Sequence, residues 1–206
     1  MKLGALIFLW IVHIAALIGI ALGYEDFFLP KSPFTLLYLL FLLIFFFKID
    51  SQKTVLLFAL FMVTGIAVEW IGVHTGSLFG DYYYGKNFGP KMDGIPILIG
   101  VNWGILTFTT HVIAKKFLSS RIAIIALGAF LMVGLDYFLE QICDFSGFWH
   151  FNGGAGWFNY ICWFVVAAIL HAIALQFKLN GSKLISYHLY SVQLFFTIGL
   201  WIIITI

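Results

Sequence analysis

Residues 55–73 read VLLFALFMVTGIAVEWIGV. At about 1.5 Å per residue, a helix over this run nearly crosses a hydrocarbon layer of ~30 Å. Its one charged residue is Glu69. A carboxylate near the centre of a membrane helix costs about 2.5–3.5 kcal/mol or more, so it calls for a partner or a task. Six further runs come close to the same length: 3–22, 34–49, 95–114, 122–139, 157–177 and 184–206. Hydrophobic residues make up 63% of the chain, charged ones 10%, and the mean hydropathy is +1.05. Soluble domains hold roughly 45–50% apolar and about 25% charged residues, so lipid must solvate much of this surface. The expected fold class is all-α. It is a polytopic integral membrane helical bundle of seven transmembrane helices, with residues 1–206 forming one transmembrane domain.

The run 34–49 is the weakest. Its uncharged part ends at Phe47, and Lys48 must snorkel if it spans; a re-entrant segment is the alternative. Met1-Lys2 followed by an apolar run to Leu22 resembles a secretory signal, but the run is long and more spans follow. It is expected to be the first transmembrane helix.

Lysine and arginine set the orientation. In the seven-span arrangement Lys2, Lys48, Lys53, Lys115, Lys116, Arg121, Lys178 and Lys183 share one side. Lys31, Lys86 and Lys91 lie on the other. The positive-inside rule puts the richer side in the cytoplasm, which implies a cell (inner) membrane protein with its long connections outside. Those connections, 74–94 and 140–156, are rich in Gly, Tyr, Trp, Asn and Asp. Loops of this length without periodicity are often functional.

Three acids lie in or at the ends of spans: Glu69, Asp136 and Glu140. Glu69 and Asp136 are expected at similar depth beneath the same face, and Glu140 follows Asp136 at i+4 on one helix side. Asn102, beside Trp103, enters from the fourth span and Asn159 from the sixth. Asp81, Tyr82, Tyr83, Tyr84 and Asp93 belong to the first long loop, and Trp149, His150 and Asn152 to the second. Any one of these groups alone is an ordinary interfacial residue. Together on several helices they point to a site.

Other chemistries find no support. A net charge of +2 without a basic, aromatic-interleaved stripe argues against nucleic acid. Cys143 and Cys162 fit no metal spacing and are expected to be apolar fillers. His13, His111 and His171 are scattered in depth and show no HxxxH or HxxH pairing, so no metal site is expected. His188 and Gln193 are expected to bond neighbouring helices. Every lysine lies outside the spans or at their ends, which excludes a retinal Schiff base. There is no voltage-sensor arginine array, phosphate-binding glycine loop or GxSxG nucleophile.

The stretch 69–103, EWIGVHTGSLFGDYYYGKNFGPKMDGIPILIGVNW, is similar to the signature of the carotenoid biosynthesis membrane family that contains the acyclic carotenoid 1,2-hydratases. The matching elements are Glu69, Thr75-Gly76, Phe79-Gly80, Tyr82, Tyr84, Gly89-Pro90, Gly94, Pro96 and Trp103. A second set resembles the family more loosely: Asp136, Glu140, Trp149, Asn159-Tyr160 and Trp163-Phe164. Together they span about residues 65–165. Gln141 and the loop 150–158, HFNGGAGWF, depart from the pattern.

The resemblance implies a cofactor-independent hydratase. It would add water across the terminal C1=C2 double bond of a linear (ψ) carotenoid end group, giving a tertiary alcohol. Such a reaction needs a proton placed on an unactivated alkene, a tolerated tertiary cation and one admitted water. Carboxylic acids in apolar surroundings hold their protons more firmly, and a second acid nearby strengthens that hold. Asp136 is expected to be the acid, with Glu69 its partner or the base that orients water; the reverse assignment is open. Glu140 is the third acid of the set. Tyr82, Tyr84, Trp103 and Trp149 would offer π faces to the cation, and Asn102 and Asn159 would hold the water. Partners implied are the lipophilic carotenoid, membrane lipid and other enzymes of the same pathway. A carotenoid end-group cyclase shares the protonation step. From a different class, a transporter or a non-catalytic assembly protein is the alternative, although no internal repeat supports the former.

Overall fold

In a computed structural model, residues 1–47, 49–154 and 156–206 are described. Among them seven helical stretches are long and apolar enough to cross a membrane. They are α1 (Lys2–Ala21), the continuous run Glu25–Phe46, α4 (Gln52–Thr75), α5 (Ile97–Phe117), α6 (Arg121–Ile142), α7 (Trp157–Gln176) and α8 (Lys183–Thr205). The all-α membrane bundle expected from the sequence is the fold.

The second span differs from expectation in where it begins. It starts at Glu25, not near residue 34, as α2 (Glu25–Phe28), a 3-10 turn (Leu29–Lys31) and α3 (Ser32–Phe46) follow without a break. Pro30 and Pro33 each lie in the first turn of their segment, where a missing N–H costs nothing. Glu25 and Asp26 occupy the positive N-terminal end of α2. This run is long enough to span, so re-entry is not required. The expected snorkelling of Lys48 lies outside the described residues.

Helix ends follow local chemistry. Ser51 caps α4 by accepting from the Thr54 amide at 3.2 Å, and Gly76 closes the other end in the left-handed conformation. Ser182 caps α8 through the Ile185 amide.

α5 is the central helix. Over its most apolar window 94% of residues are buried, against 28–39% for the other six spans, which turn a broad face to lipid. It packs against α3, α4, α6, α7 and α8. Small residues let the backbones approach. A Cβ on Gly100 would lie 2.5 Å from the Met62 carbonyl oxygen, and one on Gly65 would lie 2.5 Å from the Trp103 ring. Close packing of this kind takes the place of a hydrophobic driving force between helices in lipid. The buried hydroxyls of Thr107, Thr109 and Thr110 bond carbonyls one turn back at 2.7–2.8 Å, so they leave no polar group orphaned.

Both long connections contain strands that the sequence did not announce. β1 (Tyr82–Tyr84), from the first, pairs antiparallel with β4 (Trp149–Phe151), from the second. The register sets Tyr82 opposite Phe151, Tyr83 opposite His150 and Tyr84 opposite Trp149. Further backbone bonds extend the seam, from Gly85 to Phe148, Asn87 to Gly147 and Asn152 to Asp81. A small hairpin joins β2 (Lys91–Met92) to β3 (Ile95–Pro96). Its turn residues, Asp93 and Gly94, both have positive φ, as a two-residue hairpin loop demands. The Trp70 indole donates to Asp93 at 2.7 Å and ties this hairpin back to α4. The two connections thus form one cap over the end of the bundle where α4 and α6 finish and α5 and α7 begin.

Candidate active site

Glu69 and Asp136 each stand six residues before the end of their helix, at Thr75 and Ile142. Both are therefore about 9 Å below the cap. Each side chain is 3% exposed. Glu69, Asp136, Glu140, Asn102, Asn159, Tyr82, Tyr84 and Trp149 all line one small cavity beneath the β1–β4 pair. It has room for about one water molecule.

The two sides of this cavity differ in chemistry. On one side Glu69 accepts three hydrogen bonds. Tyr82 and Tyr84 donate their hydroxyls to Oε2 at 2.6 and 2.7 Å, and the Trp103 indole donates to Oε1 at 3.0 Å. Strand alternation delivers the two tyrosines: side chains at i and i+2 share a face, so Tyr82 and Tyr84 point inward while Tyr83 is 54% exposed. Burial, and then the adjacent Glu69 carboxylate, push both phenols well above their ordinary range, so each remains an O–H donor.

On the other side acceptors go unmet. Asp136 Oδ2, Glu140 Oε2, Asn102 Oδ1 and Asn159 Oδ1 are buried without a hydrogen-bond partner among the described residues. Asn159 donates its amide to Glu140 Oε1. Buried polar groups are nearly always satisfied, so several orphan acceptors around one cavity ask for a donor, such as water or a carboxyl proton.

Trp103 does not line the cavity. It lies behind Glu69, stacked on Trp163 with ring centroids 3.9 Å apart and planes 10° off parallel. Trp163, Phe79 and Phe151 complete the aromatic wall; the sequence reading did not assign them to the site. Gly65, one turn before Glu69, leaves the space that Trp103 fills.

The outer loop residues serve the cap. Asp81 accepts from the Asn152 amide at 3.0 Å, His150 contacts Asp144, and Tyr83 packs on the His150 ring. Cys143 and Cys162 are free and buried. Burial, with a smaller effect from Glu140, pushes the Cys143 thiol up to about 12, so it is not a thiolate at neutral pH.

One expectation is corrected. His111 and His171 are not scattered in depth. Their rings stack with centroids 5.5 Å apart, and their Nδ1 atoms lie 3.3 Å from each other. α5 and α7 start at the same face, and each histidine stands fourteen residues after its helix begins, at Ile97 and Trp157. Counting from the helix starts would have found the pair. Among the described residues no group of three or more His, Cys, Asp or Glu side chains is placed to hold a metal ion.

Tyr82→Phe removes one of the three donors to a buried carboxylate, and is expected to cost about 1–3 kcal/mol. Tyr83→Phe should stay within about 0.5 kcal/mol. Thermal denaturation of both variants in detergent checks the contrast.

Fold and site together define a multi-pass membrane protein whose carboxyl groups share a water-sized cavity beneath an aromatic cap. The chain belongs to the carotenoid biosynthesis protein family, whose sequence model matches residues 32–206. No curated protein and no solved structure matches it.

Proposed function

We propose that this protein is a carotenoid 1,2-hydratase that works by protonation and water capture, with Asp136 as the acid. The observation that carries this reading is the contrast within the cavity. Glu69 already accepts three hydrogen bonds, while Asp136 Oδ2 is buried with none. A proton on Asp136 Oδ2 would face the cavity, where Glu140 Oε2, Asn102 Oδ1 and Asn159 Oδ1 are the unpartnered acceptors.

Asp136 gives its proton to C2 of the terminal alkene, and the π electrons of C1=C2 form the new C–H bond. C1 becomes a tertiary cation. Tyr82, Tyr84 and Trp149 face it with π electrons, an interaction worth about 2 kcal/mol or more when desolvated. Glu69 adds negative charge. A water held by Asn102 and Asn159 attacks C1 through oxygen. Glu69 Oε1, which accepts from Trp103 alone, keeps a lone pair to orient that water. The proton released returns to Asp136 through Glu140, one turn further along α6. The sum is alkene plus water giving tertiary alcohol, and no redox cofactor enters the balance. Orphan acceptors favour hydration over cyclisation, because a water molecule supplies the donors they lack.

The distribution of lysine and arginine supports placing the cap outside the cell membrane, where water reaches an alkene end otherwise dissolved in lipid.

Expression in a lycopene-producing host tests the reaction. Extracted pigment is expected to carry a C1 tertiary hydroxyl. Ring-containing pigment would transfer the assignment to a cyclase, and unchanged lycopene would contradict both.

A further inference from the structure

A second, mostly apolar cavity of about 80 Å³ lies between α1, α3 and α8. It meets the acid cavity at two residues, Asn102 and Leu139, which line both. Phe88 and Phe148 of the cap roof it.

Most polar residues of its wall bond their own helical run. Ser32, Thr35 and Thr197 donate their hydroxyls to carbonyls of their own helical run at 2.7–3.1 Å. Gln193 donates to Leu189 O at 3.2 Å, and the His13 ring bonds Leu9 O at 2.8 Å. Among the described residues no lysine or arginine lines it, so a phosphate or carboxylate would find no cation there. A hydrocarbon needs none. The exception is at the inner boundary, where Asn102, 3% exposed, keeps an unpartnered Oδ1.

We infer that this cavity holds the section of a linear isoprenoid hydrocarbon next to its end group and threads that end past Asn102 and Leu139 to the acids. The inference rests on the hydratase reading for the identity of the acids, and adds the route by which the substrate enters. The chain arrives from lipid through the α1–α3–α8 side while water is kept to the cap side. Asn102 marks the boundary between the dry and wet compartments.

Ala16 lines this cavity, whereas Ile18 on the same helix faces outward. Purified protein in detergent is titrated with lycopene, and binding is read by quenching of intrinsic tryptophan fluorescence. Ala16→Phe is expected to weaken binding at least tenfold, with Ile18→Phe unchanged. Equal affinity in wild type and Ala16→Phe would overturn the inference. So would equal weakening in both variants, or no binding by wild type. Asp136→Asn separates this claim from the chemistry. It should bind lycopene as wild type does; if it also still forms product, the acid assignment fails while the binding route stands.

Discussion

Asp136→Asn is expected to lower the rate of linear-carotene hydration by roughly 10²–10⁴-fold, the range a positioned general acid supplies. The substitution preserves shape and volume. It removes a buried carboxyl whose Oδ2 has no partner, so no donor to that oxygen is stranded. An amide cannot deliver the proton. Membrane content and thermal stability should therefore remain near wild type while product formation falls. Residual turnover has an obvious route through Glu140, which stands one turn away with its own unpartnered Oε2. Initial rates by chromatography of extracted pigment, normalised to protein in the membrane, provide the check. A rate within threefold of wild type would remove Asp136 from the acid role.

Glu69→Gln is expected to fail differently, losing both activity and stability. Three donors converge on its two oxygens. Glutamine offers one carbonyl oxygen and one NH2 group. The Trp103 indole can only donate, so the carbonyl must face it and the NH2 must face Tyr82 and Tyr84. Both phenols then lose the carboxyl oxygen to which they donate. Mispaired buried polar groups cost about 1–3 kcal/mol each. Hydration should fall by roughly 10²-fold or more, since the group proposed to orient water and balance the cation is gone. Measured side by side, Asp136→Asn should retain the wild-type melting temperature in detergent and Glu69→Gln should not. Equal stability in the two variants would contradict the asymmetry between the two sides of the cavity.

Much of this arrangement was legible in the sequence, because lipid makes polar residues conspicuous. Glu69, Asp136 and Glu140 stood out against apolar runs, and helix rise alone set the first two at equal depth. What remained hidden depended on pairing between distant segments. Tyr82–Tyr84 is too short for alternation to signal a strand, and its partner Trp149–Phe151 lies across two spans. Without that pairing, which loop tyrosines turn inward could not be read.

The central helix was hidden for another reason. α5 and α8 have nearly equal mean hydropathies, 1.6 and 1.5, yet 94% of one window is buried and 28% of the other. Hydropathy reports compatibility with an apolar medium and does not distinguish protein from lipid. The glycines and threonines of α5, which allow close approach and bond their own backbone, carried that information instead. The early start of the second span was masked by Pro30 and Lys31, which look like a helix break but sit where a helix tolerates them.

The central claim is that a cavity acid protonates an alkene and water captures the cation. Its most direct test is isotopic. Membranes containing the protein are supplied with lycopene in deuterated water or, separately, in heavy-oxygen water, and the product is examined by mass spectrometry and NMR. The account predicts one deuterium at C2 in the first case and the heavy oxygen at C1 in the second, both lost in Asp136→Asn. Hydroxyl oxygen drawn from dissolved oxygen gas, or product lacking deuterium at C2, would contradict it.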